Sequence, residues 1–474
     1  MAAVRIAYYG DDFTGSTDTL SVAVRAGLRA ALFLRPPTDA DLRAFGDLDC
    51  VGVAGTARSW PPEEMDRELP TIFGALAATG AEFIHYKTCS TFDSAPHVGS
   101  IGRALQLGLR TLGQSTAFIV GGQPGLGRYC AHANLYARAG QDGPVYRLDR
   151  HPTMSRHPIT PMDEADLRVH LARQGLERVA SFGVDRLPDA TPRALDALLA
   201  DGPRAVLFDV LEDTHLAGIG RLLWDRIARQ AGPLLLAGPS GVEQALVAGW
   251  PDAARGRAAV GGMPAQAALR TRGAGDIAVD AASGLAAPRP PSSRPTPLAV
   301  AQTFVVAGSR SPVTAQQVRR AQADGFALLD IDPVQAARQA LDAEPGPYCR
   351  DLAARAVQAL QDGRSVVANT TLADEAPSGS GSALARFAGQ LMRQVLRRHP
   401  LSRVGFAGGD TSSLAVQAWD ARALTLAYTL SPGVAVCKVH ADDPALDGVE
   451  LMLKGGQMGP PDVFEALRQG RHVA

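Results

Sequence analysis

VGFAGGDTSS, Val404 to Ser413, is a short apolar run that ends in two glycines, an acid and three hydroxyls, and it leads into the helix-like segment Leu414 to Trp419. That is the pattern of a strand, a tight turn and a helix start. Gly408 and Gly409 let backbone N–H groups approach an anion closely, and the helix N-terminus adds its partial positive charge, so phosphate is a natural guest. An ordinary βα turn with Asp410 or Thr411 as N-cap accounts for the same residues. The stretch fixes a strand-turn-helix unit, and the rest of the chain decides between the two readings.

At 474 residues the chain exceeds one ordinary core, and two domains are expected. Hydrophobic residues make up 46% and charged residues 20%, a globular balance, and 47 Lys plus Arg against 48 Asp plus Glu offer no basic face for nucleic acid. The five cysteines, Cys50, Cys89, Cys130, Cys349 and Cys437, lack CxxC spacing, so neither a zinc site nor a disulfide framework is indicated and a reducing cytoplasm fits. The opening MAAVRIAYYGDD is strand-length before two acids cut it off, which is unlike a signal peptide or a spanning helix, and no later run reaches spanning length. No membrane or nucleic-acid partner is expected, and assembly into a homo-oligomer is left open.

The same strand-turn-helix unit recurs along the first half. Val4 to Tyr9 reads as a buried strand before GDDFTGSTD, which puts Asp11 and Asp12 at a strand's carboxyl end, where open α/β sheets bind ligands. One of the pair can be a helix cap and nothing more. Cys50 to Ala54 leads into GTARSW, so Arg58 also falls just past a strand. Phe83 to Lys87 opens into a polar run holding Lys87, Ser90 and Asp93, suited to a polyhydroxylated anion or to a solvated turn. Thr116 to Val120 exits through GGQPGLGRYC, a glycine loop that ends on Arg128, a residue able to grip a carboxylate or phosphate in two places. His151 and His157 lie among prolines and read as surface loop residues. A helix is expected to start near Asp163, and further strands at Arg178 to Phe182, Ala205 to Phe208 and Pro233 to Ala237.

Residues 251 to 298 are rich in Ala, Gly, Arg and Pro and read as a connection, with a short helix allowed at Pro264 to Leu269. From Thr303 the pattern resumes with a strand and a Gly-Ser-Arg-Ser turn. Ser309 stands in that turn as a phosphate donor, or Ser311 simply caps the helix that Pro312 begins. Strands follow at Phe326 to Ile331 and Ser365 to Ala368, then a helix from Gly379 to Arg398. After Thr425 to Tyr428 the segment SPGVAVCKV reads as a turn, and Leu451 to Leu453 leads into Lys454, Gly455 and Gly456, a third phosphate-compatible exit. The fold class expected is α/β: domains at 1–250 and 299–474 joined by 251–298, each a mainly parallel sheet flanked by helices, with the active site in the crevice between them.

Together GDDFTGSTD (10 to 18), TARS (56 to 59), YKTCSTFDS (86 to 94), HPITPM (157 to 162), GPSG (238 to 241), GSRSP (308 to 312), GGDTS (408 to 412) and LKGGQMGPPDVF (453 to 464) resemble the four-carbon acid sugar kinase family along nearly the whole chain. The resemblance implies an N-terminal domain that binds a tetronate-type sugar acid and a C-terminal domain that binds ATP, with phosphate passing to the terminal C4 hydroxyl. YKTCSTFDS is more similar to the branch acting on 3-oxo-tetronate than to that acting on D-threonate; erythronate is a further candidate. On this reading Asp12 takes the proton of the C4 hydroxyl. Asp11, Arg58, Lys87, Ser90, Asp93 and Arg128 hold the acid. Ser309, Gly408, Gly409, Asp410, Thr411, Gly455 and Gly456 hold the nucleotide, and Asp410 orients Mg2+ through water. The rivals are a sensor of sugar acids or nucleotides that does not consume ATP, and a metal-dependent sugar-acid isomerase.

Overall fold

The computed structural model describes residues 4–140, 143–157, 159–188, 190–251, 297–309, 311–339, 344–370, 381–408 and 414–472. The helix expected at Pro264 to Leu269 and the nucleotide candidates Gly409, Asp410 and Thr411 lie outside them. In the N-terminal half the strands are β1 (Ile6–Gly10), β2 (Ala30–Phe33), β3 (Cys50–Ala54), β4 (Phe83–Lys87), β5 (Ala117–Val120), β6 (Arg128–Ala131), β7 (Asn134–Arg138), β8 (Val145–Arg147), β9 (Val179–Phe182), β10 (Ala205–Phe208) and β11 (Leu234–Gly238). In the C-terminal half they are β12 (Phe304–Ala307), β13 (Ala327–Asp330), β14 (Val366–Asn369), β15 (Arg403–Ala407), β16 (Ala423–Ser431), β17 (Val434–His440) and β18 (Glu450–Lys454).

The sequence runs IAYYG and CVGVA are apolar without alternation, and FIHYK is buried throughout despite His85 and Lys87, because a parallel strand covered by helices on both faces buries every residue. Ile6 and Tyr8 enter one core layer, while Ala7 and Tyr9 enter the other. Parallel strands in the order β2-β3-β1-β4-β11-β5-β10-β9 make the N-terminal sheet, and β13-β14-β12-β15-β18 make the C-terminal one. The hairpin β16–β17 joins them. Ala423 and Leu424 pair antiparallel with Phe33 and Leu32, and β17 pairs antiparallel with β18, so one 15-stranded sheet runs through both halves. Across this seam Ser21 Oγ lies 2.7 Å from Thr429 Oγ1. That pairing was not foreseen, because SPGVAVCKV reads as a turn; only Pro432 and Gly433 turn, with Gly433 at φ 71°, and Val434 onward is strand.

Two other expectations give way. The helix expected near Asp163 starts at Leu167, where the Asp166 carboxylate caps the Arg168 N–H. His151 is buried, its Nδ1 accepting from the backbone N–H groups of Thr153 and Met154 at 3.2 Å, so it holds a turn rather than facing solvent. The small antiparallel sheet β6-β7-β8 was also missed, since its strands are short and half-exposed. It is tied to the end of β10 by Asp209, whose buried carboxylate accepts from the N–H groups of His132, Ala133 and Val184. Among the described residues no helix is long and apolar enough to cross a membrane.

Candidate active site

Asp11 and Asp12 follow β1 directly, and both are buried. Asp12 does cap a helix: it precedes Phe13–Arg25 and accepts from the Gly15 N–H at 2.9 Å and from Thr14 Oγ1 at 2.8 Å. Capping leaves Asp11 unexplained. The turn after β3 delivers Arg58, whose Nη2 and Nε donate to the two Asp11 oxygens at 2.7 and 3.3 Å, while its Nη1 lies 2.9 Å from Asp12 Oδ2. One guanidinium thus binds both carboxylates, which is the planar, multi-donor task that arginine performs and lysine does not. Lys87, at the end of β4, is 3% exposed and donates from Nζ to the Thr88 carbonyl at 2.6 Å. A Cβ on Gly15 would strike both Asp12 Oδ1 and Lys87 Nζ, so a larger residue there displaces one or both side chains.

The electrostatics separate the two acids. Burial pushes the Asp11 carboxyl up, against the opposing pull of Arg58, and the net direction is upward. Burial also raises Asp12, but Arg58, Lys87, the Thr14 hydroxyl and the Gly15 N–H outweigh it and hold the carboxyl below its usual range. Asp12 is therefore an ionised carboxylate at the mouth of the cluster, and Asp11 the deeper one.

The loop after β4 adds Asp93, buried and accepting from Thr91 Oγ1 at 2.7 Å, and the half-buried Ser90. Phe92 holds that loop at φ 55°. Arg128, at the start of β6, donates through Nη1 to the carbonyls of Leu126, Gly127 and Arg138 at 3.0 to 3.3 Å, and its buried Nε has no partner among the described residues. Burial lowers its affinity for its proton, and Cys89 and Asp93 act in the opposite sense, so Arg128 lies within electrostatic reach of the β4 loop. The structure thus brings Asp11, Asp12, Arg58 and Lys87 into contact, with Asp93 and Arg128 beside them. It also adds residues the sequence did not flag. Gln123 Nε2 donates to Ser240 Oγ at 2.7 Å and to Asp18 Oδ2 at 3.3 Å, Ser240 Oγ bonds the same Asp18 oxygen, and the buried Gln123 Oε1 has no partner among the described residues. Their signal was present in the strand exits GGQPG and GPSG, read only as glycine turns. Beneath the cluster His85 Nδ1 lies 2.6 Å from Glu243 Oε1, both fully buried, and the Gly238 carbonyl meets His85 Nε2 at 3.0 Å.

In the C-terminal half β12, β15 and β18 are neighbours, so their exits share one edge. The N–H groups of Gly308 and Ser309 donate to the Ala407 carbonyl at 2.9 and 3.2 Å, and the Gly408 N–H to the Lys454 carbonyl at 2.9 Å. Gly408 has φ 138°, and a Cβ on Gly456 would strike Ser309 Oγ. Ser311 caps the helix Pro312–Ala323, as the plainer reading had it, while Ser309 stands free of that duty and accepts from the Ser311 N–H at 3.2 Å. Ser309, Gly408, Gly455 and Gly456 therefore converge. The helix that begins at Asp12 packs against β16, β17 and β18, linking this edge to the acid cluster. Among the described residues no group of three or more His, Cys, Asp or Glu side chains is placed to hold a metal ion.

Residues 6–246 match the model of a sugar-binding N-terminal domain, and residues 304–464 that of a nucleotide-binding C-terminal domain. The chain is 38% identical to the 3-oxo-isoapionate kinase of Paraburkholderia graminis, over 99% of its own length and 95% of the relative's. It is 30% identical to the 3-oxo-tetronate kinase of Cupriavidus necator, over 97% and 95%. A Haemophilus influenzae protein of known structure superimposes with a TM-score of 0.66 at 22% identity, covering 97% of this chain and 98% of the other, a likeness of fold alone.

Proposed function

The chain belongs to the four-carbon acid sugar kinase family, and from that premise we propose that it is an ATP-dependent kinase that phosphorylates the terminal hydroxyl of a 3-oxo sugar acid. The choice of a 3-oxo acid follows the two relatives above, both named for such substrates. The observation that carries the reading is the buried Asp11–Arg58–Asp12 constellation with Lys87 beside it, in the half matched by the sugar-binding model. We assign residues 1–250 to the acceptor domain and 299–474 to the nucleotide domain, with the crevice between them as the place of transfer.

Phosphoryl transfer asks chiefly for positioning and charge stabilisation. Asp12 faces the acceptor hydroxyl. With its carboxyl held low, it is a weak base that orients the hydroxyl and takes the proton late, which suits a loose transition state. Arg58 fixes the orientation of both carboxylates. Lys87, Ser90, Asp93 and Arg128 offer the donors and acceptors that a carboxylate and its hydroxyls require, with Asp18, Gln123 and Ser240 as additional hydroxyl partners. In the other half Ser309, the turn 408–411, Gly455 and Gly456 receive the triphosphate. Mg2+, which neutralises phosphate charge, fits a site where the described residues offer no cage of acids: it would arrive with ATP and be steadied by Asp410 through water.

The test is ADP release followed over a panel of 3-oxo-tetronate, 3-oxo-isoapionate, D-threonate and erythronate. A kinase of this specificity releases ADP with the 3-oxo acids and not without an acceptor. Binding of acid and ATP with no ADP formed leaves a sensor instead. Asp410→Asn is expected to raise the magnesium concentration needed for turnover.

A further inference from the structure

Lys454 ends β18 and is 0% exposed. Strand alternation turns it, like Met452, toward the layer that contains Val318 and Ala321 of the helix Pro312–Ala323. Its Nζ donates to Thr314 Oγ1 at 3.2 Å, and that hydroxyl donates in turn to the Gly456 carbonyl at 2.9 Å. No carboxylate among the described residues pairs with it. The flanking strand neighbours are Ala407 and Val434, and burial alone pushes the ammonium's pKa down to about 7. Two features make this an unfavourable place for a cation without a counter-charge. Burial of such a charge is costly, and the ammonium lies against Thr314, in the first turn of a helix whose N-terminal end is itself partly positive. Both penalties become gains once an anion arrives. The glycines that follow, and Ser309 packed against Gly456, leave backbone and hydroxyl donors at the same spot.

We propose that Lys454 is a phosphate-binding residue of the nucleotide site, held beneath Thr314 in the free protein and charged against the terminal phosphates of bound ATP. The assignment rests on the reading of the C-terminal half as the ATP site. The strand exit thus supplies a charge as well as a backbone cradle, and the relay through Thr314 sets the Gly455–Gly456 turn at the same time.

The experiment is isothermal titration of the full chain with MgATP and with AMP at pH 8, repeated in buffers of different ionisation enthalpy so that proton uptake is measured. The wild-type protein is expected to take up a measurable fraction of a proton on binding MgATP, because burial holds the lysine low in the free state and phosphate favours its ammonium form. In Lys454→Met the uptake disappears and MgATP affinity falls about 30-fold or more, as on loss of a buried charge partner. AMP affinity stays within a few-fold. Thr314→Val retains the proton uptake, since the ammonium remains. Wild-type binding of MgATP without proton uptake overturns the proposal and needs no variant, and so does a Lys454→Met protein that binds MgATP as the wild type does. Failure of the wild type to bind MgATP at all overturns the nucleotide-site reading along with it, and so is distinguishable from either result.

Discussion

Arg58→Met removes one side chain and leaves two adjacent carboxylates without their common partner. Asp11 is 1% and Asp12 7% exposed, and Arg58 supplies three donors to them at 2.7, 3.3 and 2.9 Å. Stripping one partner from a buried ion pair costs about 3–5 kcal/mol, and the lower end applies here because Lys87 remains near Asp12. The same loss acts on titration. Asp12 is held low by Arg58 together with Lys87 and two hydrogen bonds, so removing the guanidinium moves the acid limb of the kcat/KM profile up. The sign follows from the direction of the shift: a carboxylate held low folds better above its unfolded pKa and loses that stability as pH falls, so the variant also forfeits part of the protein's stability above pH 4. Urea unfolding at pH 7 and a pH–rate profile measure both effects. Arg58→Met with Asp11→Asn, which relieves the carboxylate repulsion, recovers stability but not turnover. A single variant that unfolds at the wild-type urea concentration, with an unmoved acid limb, refutes the reasoning.

Asp12→Asn is expected to lower kcat by about 100-fold or more while MgATP affinity, measured by titration, is kept. Gly15→Ala, whose added methyl would strike Asp12 Oδ1 and Lys87 Nζ, is expected to raise KM for the acid and lower the melting temperature. Lys454 gives a pH signature of its own: the folded chain surrenders this proton near pH 7 and the unfolded chain near 10.4, so between those values the unfolded state holds more protons and stability rises with pH. Lys454→Met is therefore more stable than the wild type below pH 7, by on the order of 4 kcal/mol, and the difference closes as pH approaches 10, as urea unfolding across that range will register.

The strand-turn-helix grammar was legible because parallel strands buried on both faces leave continuous apolar runs, as in Ile6–Gly10 and Cys50–Ala54, and because acids and glycines crowd their exits. Asp11, Asp12, Arg58 and Lys87 could be named for the same reason: each stands within a few residues of a strand's carboxyl end. What the sequence hid was long-range. The seam between β2 and β16 depends on pairing across 390 residues of chain, and β17 was concealed by the Pro-Gly turn that precedes it. The Asp18–Gln123–Ser240 cluster joins one helix to two distant strand exits, a pairing no local pattern shows. Lys454 stands beside a glycine turn, but only its burial and its bond to Thr314, with no carboxylate of the described residues paired to it, single it out.

The most direct measurement of the central claim is a time course of the full chain with MgATP and 3-oxo-tetronate or 3-oxo-isoapionate, in which ADP and the phosphorylated acid are quantified together by mass spectrometry. The account predicts one phosphorylated acid for each ADP, dependent on a 3-oxo acid and slowed about 100-fold or more in Asp12→Asn. ADP formed at the same rate without an acceptor, or none formed with both ligands bound, contradicts it.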